Sequence, residues 1–299
     1  MQLASMRNAI NSLSVAGLLS LVLAIMISPT ASAAAPQSLG KANSFVILSS
    51  TYNNTSGGTT LNGDLGYTTP PATAPTLNGT SHVADSIYNQ AGIDQGNALS
   101  ALNAQPCTFD FAPGQIDLAS DTTHGAVGVY GPGVYCIKGA ASIGGGGTIT
   151  LTGTGTYIFR MDGALSTSAN SVVTSAGASA CDVWWTPTAA TTLGANSTFF
   201  GTDLDASGIT IGNIVTWNGQ ALAFGGTVST SSDTITGATC AAARANTPLS
   251  PTTTPKLPNT GNAQARTWPV LGTIAIVLGA LAVVFIFRKT RKFPRIFDR

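Results

Sequence analysis

Alternation of apolar and small polar residues predicts short β-strands through most of this chain. In the stretch "GTITLTGTGTYIF", residues 147–159, threonine occupies every even position from 148 to 156. Because side chains point alternately to opposite sides of a strand, an extended segment here would place the threonine hydroxyls on one side. Val, Ile, Leu and Phe keep recurring at alternating positions between Thr108 and Cys240, and this pattern favours strands over disorder.

One segment before these strands has helical spacing instead. Its apolar residues are Val83, Ile87, Ala91, Ile93, Ala98 and Leu102. Ser81 is a suitable N-cap, whereas Gly92 and Gly96 lower the helix propensity. We expect one helix at about 82–104, laid along the rest of the folded body. The preceding residues 67–80 are predicted to form a loop because they contain prolines and a glycine.

The strands contain a repeat, which is marked by apolar anchor residues. These anchors are Ile143, Leu165, Leu193, Ile211 and Val228, and the last three are spaced by 18 and 17 residues. A period near 18 with strand chemistry predicts a solenoid in which each coil contributes three short strands. Each coil would bury its anchors and stack about 4.7–4.9 Å from the next coil.

Small polar residues recur at fixed offsets from these anchors. Five positions after the anchors stand Thr148, Asn170, Thr198, Thr216 and Asp233, and two positions after them stand Gly145, Thr167, Ala195, Asn213 and Thr230. The register of the last coil could slip by two residues. Stacking of the coils therefore predicts a ladder of hydroxyl and amide groups down one face, with one charge at its end. For any single threonine, strand propensity alone is the competing explanation.

The beginning of the chain has the pattern of a secretory signal peptide. Arg7 precedes an apolar run over 15–27, and Ala31-Ser32-Ala33 forms a small-x-small cleavage pattern. We therefore assign residues 1–35 to a signal peptide and expect cleavage within 33–35. The alternative is a retained membrane anchor.

The end of the chain has the pattern of a cell-surface anchor. Residues 241–256 are rich in Pro, Thr and Ala and predict an extended linker. Residues 269–287 carry no charge and are long enough to span a membrane. Six Lys and Arg residues in the last twelve positions predict a cytoplasmic tail, so that the body would lie outside the cell.

The segment 257–299 as a whole resembles the sortase cell-wall sorting signal of Gram-positive bacteria. Its pentapeptide is Leu257, Pro258, Asn259, Thr260 and Gly261, and the apolar span and basic tail follow in that order. The resemblance implies cleavage between Thr260 and Gly261 and attachment to peptidoglycan, with the span as a transient membrane segment. The alternative is a single-span protein with a chance LPNTG.

The body, residues 36–240, contains eleven Asp, no Glu, two Lys and one Arg, so its formal charge is about −8. This balance argues against nucleic acid as a partner, because that requires a basic surface. An even number of cysteines in an exported chain indicates two disulfides. Three pairings are possible for Cys107, Cys136, Cys181 and Cys240, and we favour Cys107–Cys136 with Cys181–Cys240. There is no C-x-x-C motif, and His82 and His124 are far apart in sequence, so a metal site is not expected.

The body resembles the ice-binding β-solenoid proteins of bacteria, algae and fungi. The matching stretches include "QPCTFDFAPGQIDL", "GPGVYCIKG", "GTITLTGTGTYIFRMDGALSTSANSVV", "ACDVWW", "TTLGANSTFFGTDLDASGITI" and "VTWNGQALAFGGTVST", which together extend over about 40–240. The resemblance implies a mainly β fold, a discontinuous right-handed β-helix of triangular cross-section with one α-helix packed alongside. That family carries T-A/G-x-T/N elements on one flat face, and Thr167-Ser168-Ala169-Asn170 keeps both ends of the element.

These observations lead to one predicted function and two competing ones. The predicted function is adsorption to ice, with no cofactor, through Thr148, Thr167, Ser168, Asn170, Thr198, Asn213, Thr216 and Thr230. The main alternative is a wall-anchored adhesin that binds glycans or other cells through the same fold. A glycoside-cleaving enzyme would need two carboxyl groups across a sugar, and Asp203 and Asp205 are the obvious candidates. Since no G-x-S-x-G motif and no Glu are present, we do not expect an enzyme.

Overall fold

The computed structural model describes residues 34–238 and 240 as a mainly β fold with one α-helix, α1 (Ser86–Asn103). Two short 3₁₀ turns lie at Gly40–Ser44 and Ala180–Asp182. The strands are β1 (Phe45–Asn54), β2 (Thr60–Asn62), β3 (Asp64–Tyr67), β4 (Thr76–Asn78), β5 (Ser81–Val83), β6 (Phe109–Asp110), β7 (Ile116–Asp117), β8 (Val129–Tyr130), β9 (Gly133–Ile137), β10 (Ala141–Ile143), β11 (Thr148–Thr152), β12 (Tyr157–Thr167), β13 (Val172–Ala176), β14 (Val183–Leu193), β15 (Thr198–Leu204), β16 (Ile209–Ile211), β17 (Thr216–Thr230) and β18 (Thr234–Thr236).

The strands form three stacks, and all pairings between these named strands are parallel. The chain visits the stacks in turn, as in β9, β10 and β11, and then begins the next coil with β12. The first stack contains β9, β3, β5 and parts of the long strands, and the second contains β7, β10 and β16. The third stack contains β8, β11, β13, the starts of β15 and β17, and then β18, β2 and β4.

The order of the coils along the stacks is not the order of the sequence. The last strands of the body pair with the first ones, β17 with β1 and β18 with β2. The N-terminal coils therefore continue the stack beyond the C-terminal coil. This arrangement makes the coil order discontinuous, which the resemblance predicted.

Two separate apolar clusters stabilise the body. One cluster fills the interior of the coils and includes a row of stacked aromatic rings, in which the centroids of Phe159 and Trp185 are 4.3 Å apart. The other lies between α1 and the outer surface of the first stack, where Tyr88 and Leu102 meet Ile158 and Leu222. Burying apolar area on both surfaces of the first stack contributes roughly 25 cal/mol per Å².

The helix begins later than the sequence predicted. Residues 81–83 form β5 and pair with β3, so Asp85 rather than Ser81 is the N-cap, and its side chain accepts a hydrogen bond from Tyr88 N at 2.8 Å. Gly92 has a packing role, because a Cβ atom there would collide with the ring of Phe224. The predicted loop at 67–80 also contains a strand, β4.

The structure pairs Cys107 with Cys136 and Cys181 with Cys240, the pairing that the sequence favoured. Within residues 34–238 and 240, no helix is long and apolar enough to cross a membrane. The predicted linker, LPNTG motif, span and tail, and almost all of the signal peptide, lie outside the described residues.

Candidate functional site

The outer surface of the third stack carries two columns of small polar side chains, which we call the Thr/Asn face. The first column consists of Thr148, Val172, Thr198, Thr216, Thr234, Thr60 and Thr76. The second column, two residues later in each strand, consists of Thr150, Thr174, Phe200, Asn218, Thr236, Asn62 and Asn78. Twelve of the fourteen residues are Thr or Asn, and none is charged.

A four-residue pattern, Thr-apolar-Thr/Asn-Gly, builds four of these seven rungs. It reads TLNG at 60–63 and again at 76–79, TWNG at 216–219 and TITG at 234–237. The apolar residue between the two columns points inward, and Leu61, Trp217 and Ile235 are fully or almost fully buried. The glycine lies directly after the second column, where the chain leaves the third stack, and in the long strand β17 this position is within the strand. At Gly219 φ is 150°, and a Cβ atom there would collide with the backbone of Gly201.

Hydrogen bonds between side chains fix part of the second column. Asn78 Nδ2 donates to Asn62 Oδ1 at 2.8 Å, and Asn62 Nδ2 donates to Thr236 Oγ1 at 3.0 Å. These bonds run from rung to rung and restrict the rotamers of three adjacent residues. The seven rungs, spaced by about 4.8 Å, extend over roughly 29 Å. The face is thus a regular, uncharged and preordered array.

Three of the predicted site residues lie on this face. Thr148, Thr198 and Thr216 are exposed members of the first column. Ser168, Asn170 and Asn213 are also exposed, but they lie at the corner between the second stack and the face. The structure thus brings the six residues to one side of the body without placing them all in one plane.

Thr167 and Thr230 were wrong predictions, because both point inward. Thr167 Oγ1 accepts a hydrogen bond from Gly194 N, and Thr230 Oγ1 lies 2.8 Å from Tyr52 Oη in the core. The cause is a register error of two residues. Ile143 pairs with Thr167 rather than with Leu165, so Val172 rather than Asn170 occupies the first column.

The predicted register of the last coil is also wrong by two residues. In the observed register, Asp233 does not belong to the ladder, so the ladder carries no charge. Thr210 pairs with Ser229, so Thr230 rather than Val228 is level with Ile211. Asp233 is fully buried at the next corner, where it accepts hydrogen bonds from Val215 N and Ser231 N, each at 2.7 Å. Burial raises the pKa of Asp233 to about 6, although these two bonds lower it. Thr234 takes the position on the face.

Nine of the twelve Thr and Asn residues of the face are not among the predicted site residues. The overlooked residues are Thr60, Asn62, Thr76, Asn78, Thr234, Thr236, Asn218, Thr174 and the later column position Thr150. The signal was available in the repeated TLNG, TWNG and TITG segments. It was overlooked because the first two lie in a proline-rich region that precedes the helix, and sequence order does not reveal that this region continues the same stack.

The threonine row at the even positions of residues 148–156 splits into two parts. Thr148, Thr150 and Thr152 lie in β11, and the chain then turns, so that Thr156 is buried. The second stack shows one comparable column, made of Ser142, Ser166, Thr192, Thr210, Ser229 and Asn53. It lacks the second parallel column and the asparagine ladder of the Thr/Asn face.

The two candidate carboxylates lie inside the coils rather than in a cleft. Asp203 and Asp205 are fully buried, and neither oxygen of Asp203 has a hydrogen-bond partner among the described residues. Burial, followed by the neighbouring charge of Asp205, raises the pKa of Asp203 well above its usual range. Asp205 accepts hydrogen bonds from Thr191 N and Ser207 N. A polysaccharide could not reach either group.

One cluster of Cys and Asp side chains has the spacing of a metal site. It consists of Cys107, Asp110 and Cys136. Its two sulfur atoms are joined in a disulfide and cannot act as thiolate ligands. Asp110 is therefore the only residue of this cluster that could still bind a metal ion.

Three stacks of parallel strands, with one helix against the first and the Thr/Asn array on the third, define a mainly β class of fold. Comparison with known proteins identifies the family within that class. The model of the Ice-binding-like family matches residues 47–236, and the chain belongs to this family.

Individual relatives agree with this assignment. An ice-binding protein from Nostoc sp. (strain HG1) is 27% identical over 220 residues, which are 70% of this chain and 77% of the relative. The crystal structure of an ice-binding protein from the Antarctic ascomycete Antarctomyces psychrotrophicus is 27% identical, with a TM-score of 0.61, and the match covers 69% of this chain and 100% of that one. An ice-binding protein domain from Shewanella frigidimarina, 21% identical with a TM-score of 0.61, shares the fold over 70% of this chain and 100% of that one.

Proposed function

We propose that the protein adsorbs to ice through the Thr/Asn face and thereby slows or reshapes ice growth. The observation that supports this most is the array itself, with twelve Thr and Asn residues in two columns and seven rungs. Family membership and the ice-binding relatives support the same proposal. The three stacks also favour the triangular cross-section that the family resemblance implies.

The physical argument rests on spacing and rigidity. Ice presents a planar lattice of water oxygens with a repeat close to the strand spacing of stacked coils. Each threonine offers a methyl group that orders water and a hydroxyl that anchors it, and the asparagine amides add further anchors. A single hydrogen bond exchanged for one with water contributes only about 0.5–1.5 kcal/mol. Adsorption must therefore come from many groups that are already aligned, so that little entropy is lost on contact.

Substitution on the face tests the proposal. Replacing Thr198, Thr216 and Thr234 with Tyr would place three bulky side chains on adjacent rungs, and these would keep the face from contacting a planar ice surface. We expect the concentration that stops ice recrystallisation to rise by about tenfold or more, because a loss of some 1.4 kcal/mol already gives that factor. The matched control replaces Thr192 and Thr210 with Tyr on the second stack and should leave the activity unchanged.

Residues 36–240 are a suitable sample for this experiment. They include both disulfides and the buried residues of both apolar clusters, and 69% of the chain is enough to match the fungal relative over its whole length. Circular dichroism would verify that each variant is folded. If both variants lose activity equally, the face assignment is wrong. If the unmodified body leaves ice untouched, ice binding fails, and glycan and cell-binding screens for the adhesin alternative would follow.

We further propose that the chain is exported and anchored to a Gram-positive-type cell wall. The support is the order of signal peptide, linker, LPNTG, apolar span and basic tail in the sequence. In a host with a sortase, the full chain should be released only when the wall is digested. Thr260→Ala should leave the protein in the membrane fraction, whereas Thr253→Ala in the linker should not change its location. Release of Thr260→Ala with the wall fragments would contradict anchoring through this motif.

A further inference from the structure

At the corner between the second stack and the Thr/Asn face, Ile214 adopts a left-handed backbone conformation that β-branched residues normally avoid. In four consecutive coils the chain turns this corner through one residue with positive φ. These residues are Asn170, Asn196, Ile214 and Ser232, with φ of 62°, 57°, 62° and 59°. Asn tolerates this left-handed conformation, whereas a β-branched residue such as Ile is a genuine outlier there.

The same hydrogen bond holds three of these corners. Asn170 N donates to Ala195 O at 2.9 Å, Asn196 N to Asn213 O at 2.9 Å, and Ile214 N to Ser231 O at 3.0 Å. The stack therefore imposes the left-handed conformation whatever the side chain is. Ile214 adopts it because of its place in the coil and not because of its own preference, so its backbone is strained.

Packing inside the protein does not offset this strain. The side chain of Ile214 is 56% exposed, so it gains little from burial. The core at this corner is filled by the next residue, Val215, which is 1% exposed. A strained, exposed and apolar residue thus stands where Asn, Gly or Ser would fit the backbone better. A strained conformation that no contact inside the protein stabilises points to a contact of this side chain with a ligand.

The neighbours of Ile214 indicate where that benefit lies. Thr216, two residues later, belongs to the first column of the face, and Asn213, one residue earlier, is exposed. Ser231 Oγ donates to Asn213 Oδ1 at 3.3 Å and restrains this side chain. Ile214 therefore lies at the rim of the face, within a corner that is otherwise polar.

We infer that Ile214 contacts the ligand of the Thr/Asn face and extends that face around the corner with methyl groups. The inference rests on the proposed function, so the ligand is ice. The methyl groups would exclude water at the rim of the contact, in the way that the threonine methyls do within the columns. The strained backbone is what holds this apolar side chain at the rim.

Two substitutions in the 36–240 body separate contact from structure. Ile214→Asn relieves the strain and removes the methyl groups, so we expect the melting temperature to rise by about 2–4 °C. The fraction of protein taken up by a growing ice crystal should fall roughly fivefold. Ile214→Val keeps the branched apolar side chain and should adsorb almost as well as the unmodified body. Asn196→Gly, at the same corner position one coil away, is the control that should leave adsorption unchanged.

The inference predicts that Ile214→Asn changes the melting temperature and the adsorption to ice in opposite directions. A rise in melting temperature together with weaker adsorption of Ile214→Asn supports the inference. If Ile214→Asn adsorbs like the unmodified body, Ile214 has no contact role. If this variant is less stable than the unmodified body, Ile214 is not strained and the argument for the inference fails; in either case the proposed function is unaffected. If the unmodified body does not adsorb to ice at all, the proposed function falls, and this inference falls with it.

Discussion

At the scale of single residues, most of the buried polar side chains that the structure describes have hydrogen-bond partners, and Asp203 is the one carboxylate among the exceptions. Asp233 illustrates the usual solution, with two backbone N–H donors at 2.7 Å. Gln220 donates from Nε2 to the carbonyls of Asn43 and Phe45 at 3.0 and 2.6 Å. Asp203 lies inside the coils, and neither of its oxygens has a hydrogen-bond partner among the residues that the structure describes. Its raised pKa favours the protonated form, which costs less to bury than the carboxylate does.

Replacement of Asp203 with Asn should stabilise the body at alkaline pH. Burial raises the pKa of Asp203, so the folded state binds this proton more tightly than the unfolded state does. The contribution of Asp203 to the free energy of unfolding is therefore complete below about pH 4 and is lost as the pH rises through the folded-state pKa. The amide has the same shape and never ionises. Each unit of the pKa difference corresponds to about 1.4 kcal/mol, or roughly 3–6 °C in melting temperature.

Thermal unfolding at pH 4 and pH 8 measures this effect. The melting temperature of Asp203→Asn should exceed that of the unmodified body at pH 8, and the difference should shrink at pH 4. Asp162→Asn, which changes an exposed carboxylate, is the control and should alter neither value appreciably. A lower melting temperature for Asp203→Asn at pH 8 would contradict a protonated Asp203.

At the scale of elements, strand type and repeat could be predicted from the sequence, whereas register and helix start could not. The alternation over 148–152 and the spacing from Leu193 to Ile211 match real strands and a real coil step. The predicted pairing of Ile143 with Leu165 in the next coil was wrong. Leu165 and Thr167 lie on the same side of one strand, and the hydrophobic pattern favours the more apolar Leu165. A slip of two residues keeps every side chain on its correct face, so the hydrophobic pattern cannot detect it.

The helix shows a different limit of sequence reasoning. Val83, Ile87 and Ile93 fit a helical stripe, but they are 53%, 42% and 58% exposed. Ala91, Ala98 and Leu102 of the predicted stripe are buried as expected, and Tyr88 and Gln95 complete the surface that contacts the first stack. This face follows from tertiary contacts, since Gln95 Nε2 donates to Leu222 O and Arg160 donates to Asn103 O near the end of α1. None of these long-range partners can be read from local periodicity.

At the scale of the whole molecule, the discontinuous coil order is what completes the Thr/Asn face. Without the pairing of β18 with β2, the face would end after five rungs, and TLNG at 60–63 and 76–79 would not contribute. The disulfide Cys181–Cys240 joins the end of the body to the 3₁₀ turn Ala180–Asp182, which immediately precedes β14. Folding of the N-terminal coils onto the C-terminal one thus adds two of the most regular rungs to the site.

The most direct test of this account is adsorption of the fluorescently labelled body, residues 36–240, to a single ice crystal grown slowly in its solution. We predict that the labelled protein covers defined crystal planes and remains bound while the crystal grows. A variant with Thr198, Thr216 and Thr234 replaced by Tyr should be excluded from the ice, as an inert labelled protein is. An ice crystal that excludes the unmodified body from every plane would contradict the proposal that this protein binds ice.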